Sequence, residues 1–374
     1  MPLTVVQVLP ALDAGGVERG TLEVAAELAR RGHRSIIVSG GGGLADQLVR
    51  EGSEHVTLPV GKKSLLTLRL VPALQRLLLA RGASVLHARS RLPAWISYLA
   101  WRGIEPENRP RFVTTVHGPY TVNRYSRIMV RGERVIAISG FIRDYILKNY
   151  PETDPAKIEV IHRGVDPDQF PYGHRPSTRW LEAWRAENPR LDGKFIVTLP
   201  ARLTRWKGQE DFIDMVGMAL SGGLPVHGLL VGGHHPRRTR FLGQLKARAQ
   251  ALGLTDHISF LGHRNDIREI LAISDVVCSL AREPEAFGRT ALEALCLGTP
   301  VIAYDHGGAA EILAEIFPAG RIAPLDTRGA VLRLNEFYES PPVVPQRNPF
   351  TLRRMLDQTI RLYEELCRPA PAAG

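Results

Sequence analysis

Cysteine is scarce in this chain. The three present among 374 residues, Cys278, Cys296 and Cys367, show no metal-ligand spacing, and two lie in apolar runs. They read as reduced packing residues of a cytoplasmic protein, without a disulfide framework or a metal centre. Long apolar runs are missing as well: no stretch reaches the roughly 18 uncharged residues of a membrane span. No basic segment or cleavage site follows Met1-Pro2-Leu3, so neither export nor spanning is expected. The basic stretches carry no recognised nucleic-acid motif. The net charge of +10 therefore asks for a different acidic partner, a nucleotide or an anionic membrane surface, and no nucleic acid is expected.

What is present is ordinary globular material, 44% hydrophobic and 23% charged, enough to bury a core. A chain of 374 residues is too long for one typical core, and two domains of about 170–200 residues follow. Short β-rich runs recur at 5–9, 35–39, 55–60, 84–88, 111–117, 134–139 and 158–161, then at 195–199, 226–231, 258–261, 276–280 and 300–303, with helical stretches between them. Such alternation predicts an α/β protein of two doubly wound, Rossmann-like domains with parallel sheets covered on both faces. The expected division is 1–170, 171–350, and a C-terminal segment 351–374. That last segment is a helix from Leu352 to Cys367, apolar at Leu352, Met355, Leu356, Ile360, Leu362, Tyr363 and Leu366, followed by a frayed tail from Pro369.

Ligands of parallel sheets bind beyond the carboxyl ends of the strands. In the first half those ends carry Gly15-Gly16, then His87 with Arg89 and Arg91, then His117, and finally Arg163-Gly164-Val165-Asp166. In the second half the most informative stretch runs from Arg282 to Ala294, where Glu285 and Glu293 flank a helix start near Phe287 and Gly288. A helix N-terminus favours an anion. With a carboxylate at either end, roughly 12 Å apart if the interval is helical, the arrangement suits a nucleotide-diphosphate sugar, Glu293 on the ribose and Glu285 on the sugar. Glycosidase carboxylates sit closer, about 5–9.5 Å apart. Upstream, Arg202 and Lys207 follow another strand. A guanidinium and an ammonium at that spacing can close on both phosphates and neutralise the leaving charge without a metal.

Taken together, the segments Glu285 to Glu293, Arg202 to Gly208, Gly15-Gly16-Val17-Glu18-Arg19 and Thr114 to Gly118 resemble the family 4 glycosyltransferases of GT-B fold, over most of the chain. The resemblance implies two domains facing across a cleft, a C-terminal helix crossing back to the first, and retaining transfer of a hexosyl unit. It implies catalytic roles for Arg202, Lys207 and Glu285, with His117 facing the transferred sugar. Gly16, Gly232, Phe287, Gly288 and Glu293 would hold the donor, and Asp266 and Asp275 would flank the base-binding helices. The hinge segment Ile158 to Phe170 departs at Arg163, where the family usually has Asn, and Ala201 stands where Gly is general. The segment from His87 to Trp95 is most similar to bacterial cell-envelope enzymes that extend lipopolysaccharide cores. That implies a glycan or glycolipid acceptor, with Arg89 and Arg91 on its side, while His87 itself reads as a structural residue. No cofactor is implied beyond the sugar-nucleotide co-substrate, and no metal. A GT-B nucleotide-sugar epimerase is the alternative, and a nucleic-acid-binding module a weaker one.

Between Val60 and Arg134, fourteen Lys and Arg face three Glu, a net +11 that exceeds the charge of the whole chain. Within this region a leucine-rich stretch from Leu65 to Leu79 is flanked by Lys62, Lys63, Arg69 and Arg76. It has the composition of a helix lying in a membrane interface, and equally of one packed on its own sheet. The first reading puts the protein at the inner face of the cytoplasmic membrane.

Overall fold

The computed structural model describes residues 2–13, 15–233 and 239–368. The tail expected from Pro369 lies outside the described residues. The chain divides into two compact units, one running to Arg163 and resuming at Arg353, the other spanning Gly164–Leu352. The division falls at Arg163, seven residues before the expected one at Phe170, and the C-terminal helix Leu352–Cys367 falls with the first unit from Arg353 onward.

The first unit holds seven parallel strands: β1 Thr4–Val8, β2 Arg34–Ser39, β3 Glu54–Thr57, β4 Val85–Ala88, β5 Arg111–Val116, β6 Arg134–Ala137 and β7 Ile158–Val160. Their order is β3-β2-β1-β4-β5-β6-β7. β1 shows why the sequence forms such strands. Val5, Val6 and Val8 are fully buried, and a sheet covered on both faces selects β-branched side chains at successive positions. The second unit repeats the plan with β8 Phe195–Pro200, β9 Val226–Val231, β10 Ile258–Gly262, β11 Val276–Ser279, β12 Val301–Tyr304 and β13 Arg321–Ile322, ordered β10-β9-β8-β11-β12-β13. β13 has only two residues, too short for a sequence pattern. In each sheet the order reverses once, between β1 and β4 and between β8 and β11. The loops beyond such a reversal form the ligand crevice of doubly wound sheets.

Two local expectations are corrected. The stretch from Leu65 to Leu79 is not one helix: a 3₁₀ turn Leu65–Leu70, capped by Ser64, gives way to an α-helix Val71–Ala80. Pro72 causes the break, since it lacks an N–H and its ring would strike the preceding turn, whereas the first turn of a new helix accommodates it. The helix near Glu293 starts at Arg289 rather than Phe287, with Gly288 in the left-handed region as its N-cap. Glu285 therefore lies on the loop after β11, and a separation from Glu293 based on helical rise does not apply.

Candidate functional site

In the second unit the loops after β8 and β11 meet at the sheet's reversal. Gly208 makes the meeting close: it adopts φ +76°, and a Cβ there would overlap the Leu280 carbonyl at the end of β11. With the loops in contact, Lys207 Nζ donates to Glu285 Oε1 at 2.7 Å, the two side chains 17% and 14% exposed. The ammonium also lies over the Trp206 ring, 4.3 Å from its centroid. Arg202, on the same loop, is exposed and has no side-chain partner among the described residues. Its carbonyl accepts from Gln209 Nε2 at 3.0 Å.

A clamp that the sequence did not announce fixes the two loops. Asp211, in the first turn of the helix Gln209–Ser221, accepts both arms of Arg282 at 3.0 and 2.5 Å. It also accepts the Tyr304 hydroxyl at 3.0 Å. The Arg282 N–H in turn donates to the Trp206 carbonyl at 2.7 Å. Asp211 thus ties the loop of Lys207 to the loop of Glu285. From the other side, the Gly308 N–H donates to the Glu285 carbonyl at 2.7 Å. Cβ atoms at Gly307 and Gly308 would press on the backbone of Glu285 and Phe287, so this pair of glycines seats the Glu285 loop.

Glu293 is 5% exposed and receives Arg289 Nε at 3.2 Å. Phe287 is only 5% exposed and packs edge-on against Phe350. Its side chain belongs to the core. Gly232 is required by the Ala201 carbonyl, which a Cβ would overlap. Asp266 receives Trp180 Nε1 and both arms of Arg264, and Arg264 holds its carboxyl below the usual range. Asp275 accepts the Ile196 N–H at 2.6 Å, and burial pushes its carboxyl up. In this structure both aspartates tie the fold together.

The first unit carries the two candidate histidines, His87 and His117. His87, fully buried on β4, joins Tyr363 of the C-terminal helix at 2.6 Å and Thr115 of β5 at 2.7 Å. Burial, then the charges of Arg89 and Arg163, hold it well below the ordinary imidazole value. It is a structural histidine. His117 follows β5, and its Nδ1 receives Arg163 Nη2 at 2.8 Å. Burial first, then Arg163, Arg89 and His87, depress its pKa strongly. Gly16 opens the helix Gly16–Arg30, and beyond its own helix and chain neighbours no described residue comes within 4 Å of where a Cβ would stand.

Arg89 is corrected. It is 2% exposed and donates to Gln7 Oε1 at 2.7 Å, so it is part of the interior and not of an acceptor or membrane surface. Arg91 is half-buried over the rings of Tyr120 and Tyr125. Lys62 and Lys63 are exposed. Other cations of the basic region serve the fold: Arg81 pairs with Glu54, Arg111 with Glu133 and Arg127 with Glu152.

Residues 14–169 match Glycosyltransferase Family 4, and residues 182–349 match Glycosyl transferases group 1. A glycosyltransferase from Rickettsia africae is 30% identical and superposes with a TM-score of 0.87, over 99% of this chain and 100% of that one. HepE from Anabaena, solved with UDP and glucose, shares the fold at 21% identity and a TM-score of 0.80, over 97% of this chain and 100% of its own. The lipopolysaccharide core biosynthesis mannosyltransferase LpsB of Rhizobium meliloti is 31% identical over 191 residues, half of each chain. Other curated relatives are spanned over little more than a third of their length, 38% and 34%. The family matches in both halves and the near-complete superposition on the Rickettsia enzyme lead to one conclusion: this chain is a member of the family 4 glycosyltransferases, with two Rossmann-like domains of the GT-B fold.

Proposed function

We propose that the protein moves a sugar from a nucleotide-diphosphate sugar to a glycan or glycolipid acceptor of the cell envelope, lipopolysaccharide in particular, with retention of anomeric configuration and without a metal. The observation that carries this reading is the Lys207–Glu285 pair, 2.7 Å apart and clamped where the sheet order reverses, with the exposed Arg202 guanidinium on the same loop. Two cations there neutralise the diphosphate as the anomeric bond breaks. Glu285 positions the sugar and Glu293 the ribose, while His117 contacts the transferred sugar. The departing phosphate takes the acceptor's proton, so no side chain needs to act as a conventional base. The bound UDP and glucose of HepE and the activity in the name of LpsB support the donor class and the acceptor class respectively. The test is a panel of uridine, guanosine and adenosine diphosphate sugars, each with and without a lipopolysaccharide-core acceptor and with chelator present. Acceptor-dependent transfer that chelator leaves unchanged is expected. Free epimer formed without acceptor, or loss of transfer on chelation, would overturn it.

The membrane part of the reading rests on the segment 62–69. Leu65, Leu66 and Leu68 are 86%, 61% and 47% exposed, beside exposed Lys62, Lys63 and Arg69. Apolar tips flanked by cations suit the interface of an anionic bilayer, each nearby cation adding about 1 kcal/mol. Among the described residues no helix is long and apolar enough to cross a membrane. Co-sedimentation with anionic but not neutral vesicles is expected, and replacing Lys62, Lys63, Arg69 and Arg76 by Ser should abolish it while nucleotide binding persists.

A further inference from the structure

Gly20 sits inside the helix Gly16–Arg30, an unfavourable place for glycine. A Cβ at Gly20 would overlap Arg163 Nη1. The helix therefore leaves its side-chain volume at this position to a guanidinium. Arg163 is 9% exposed, with Nη1 3.9 Å from Met355 Sδ of the C-terminal helix and Nη2 2.8 Å from His117 Nδ1. A guanidinium has donors and no acceptor. His117 Nδ1 must then present its lone pair, and the ring proton resides on Nε2. A second proton would have to enter at Nδ1, directly against the Arg163 donor. His117 is partly exposed as a residue, yet its Nε2 is buried and has no hydrogen-bond partner among the described residues.

We propose that Arg163 is a positioning residue that locks His117 as the neutral Nε2–H tautomer, so that this N–H is offered to a hydroxyl oxygen of the transferred sugar. The sugar contact rests on the proposed function; the tautomer does not. A side-chain amide in place of Arg163 could turn either its oxygen or its nitrogen toward the ring, leaving both tautomers open. The guanidinium removes that choice, and Gly20 makes the room for it.

The experiment is long-range proton–nitrogen NMR on protein labelled at histidine nitrogen, with H117Q identifying the signal. His117 should show the neutral Nε2–H pattern unchanged from pH 5 to 8. The charged or titratable groups facing it are Arg163, Arg89 and His87, with the Tyr120 hydroxyl 3.4 Å from its backbone N–H. Arg163→Lys, which keeps a donor, should preserve the pattern. Arg163→Met should give mixed tautomers or a titrating ring, and Gly20→Ala should do the same with Arg163 still in place, which covers the case where Arg163→Met fails to fold. Transfer should fall about ten-fold in Arg163→Met, the value of one hydrogen bond, recover in Arg163→Lys, and show no added loss in a His117→Ala background. An Nδ1–H pattern in the wild type, titration between pH 5 and 8, or an undiminished Arg163→Met effect without His117 would overturn the proposal. A locked Nε2–H tautomer in a protein that transfers no sugar would instead sink the functional reading and the sugar contact with it.

Discussion

Replacing Asp211 by Ala tests whether the clamp between the two loops governs both stability and chemistry. The carboxylate side chain is 9% exposed, whereas that of Arg282 is 41% exposed. Losing the fork therefore returns Arg282 largely to water, and the low end of a charge-assisted bond, about 2 kcal/mol, is appropriate. Tyr304 is 1% exposed, so its hydroxyl, deprived of its acceptor, adds about 1 kcal/mol. The sum of about 3 kcal/mol should lower the melting temperature of the second unit by about 6–12 °C, at about 2–4 °C per kcal/mol for a domain of that size. Tyr304→Phe keeps the Arg282 fork and should cost only about 1 kcal/mol. The chemical consequence separates the two variants. Arg282 holds the Trp206 carbonyl, and the Lys207 ammonium rests on the Trp206 ring. Without Asp211 the Lys207–Glu285 geometry loosens, and turnover should fall about ten-fold or more, since ångström misplacements are costly in rate. Tyr304→Phe should leave turnover close to wild type. Calorimetry and donor-consumption kinetics on both variants would refute the argument if Asp211→Ala melted within about 1 °C of wild type, or if both variants lost turnover equally.

Lys207→Ala and Arg202→Ala should each lower turnover by about 10²-fold, by analogy with removing a preorganised donor to developing charge; a raised Michaelis constant at unchanged turnover would reduce them to plain binding groups. Glu293→Gln should weaken binding of the nucleoside diphosphate itself, while Glu285→Gln should leave that affinity nearly intact and impair transfer. Isothermal calorimetry showing equal loss of affinity in both would reject this division. Acid should destabilise the first unit through His87 and His117, which are held neutral in the fold but take up protons when unfolded, below about pH 6.5. Their contribution is complete above that value and declines by up to about 1.4 kcal/mol per pH unit per histidine as pH falls toward the depressed folded values. Chemical unfolding at pH 7, 6 and 5 should show a decline that His87→Gln reduces; a flat profile would contradict the buried, neutral assignment.

How much of this was readable in the sequence depends on the range of the interaction concerned. Strands such as β9, Val226–Val231, were legible because burial on both faces writes a continuous apolar run, and the helix Leu352–Cys367 because its apolar positions keep a helical period. β13, two residues long, leaves no such mark. Glu285 and Lys207 stood out by residue type and resemblance, but only the order of β8 and β11 in the sheet explains why residues 78 positions apart meet at 2.7 Å. Asp211 looked like any acidic residue in a first helical turn, and its partners Arg282 and Tyr304 lie 71 and 93 positions away. Arg89 misled for the opposite reason. Arginine at a strand end in a basic region suggests a surface, yet Gln7, itself fully buried on the neighbouring β1, supplies an acceptor inside. Arg163 was visible only as a departure from Asn, without a reason. Its counterpart was also in view, a glycine at position 20 where helix propensity argues against one, but the two are 143 positions apart and only the folded chain brings them together. An unfavourable residue inside a helix is thus a usable sequence signal when something elsewhere needs the volume it leaves. Here that something is a guanidinium whose only hydrogen-bonding role is to donate, set against a histidine whose tautomer then follows.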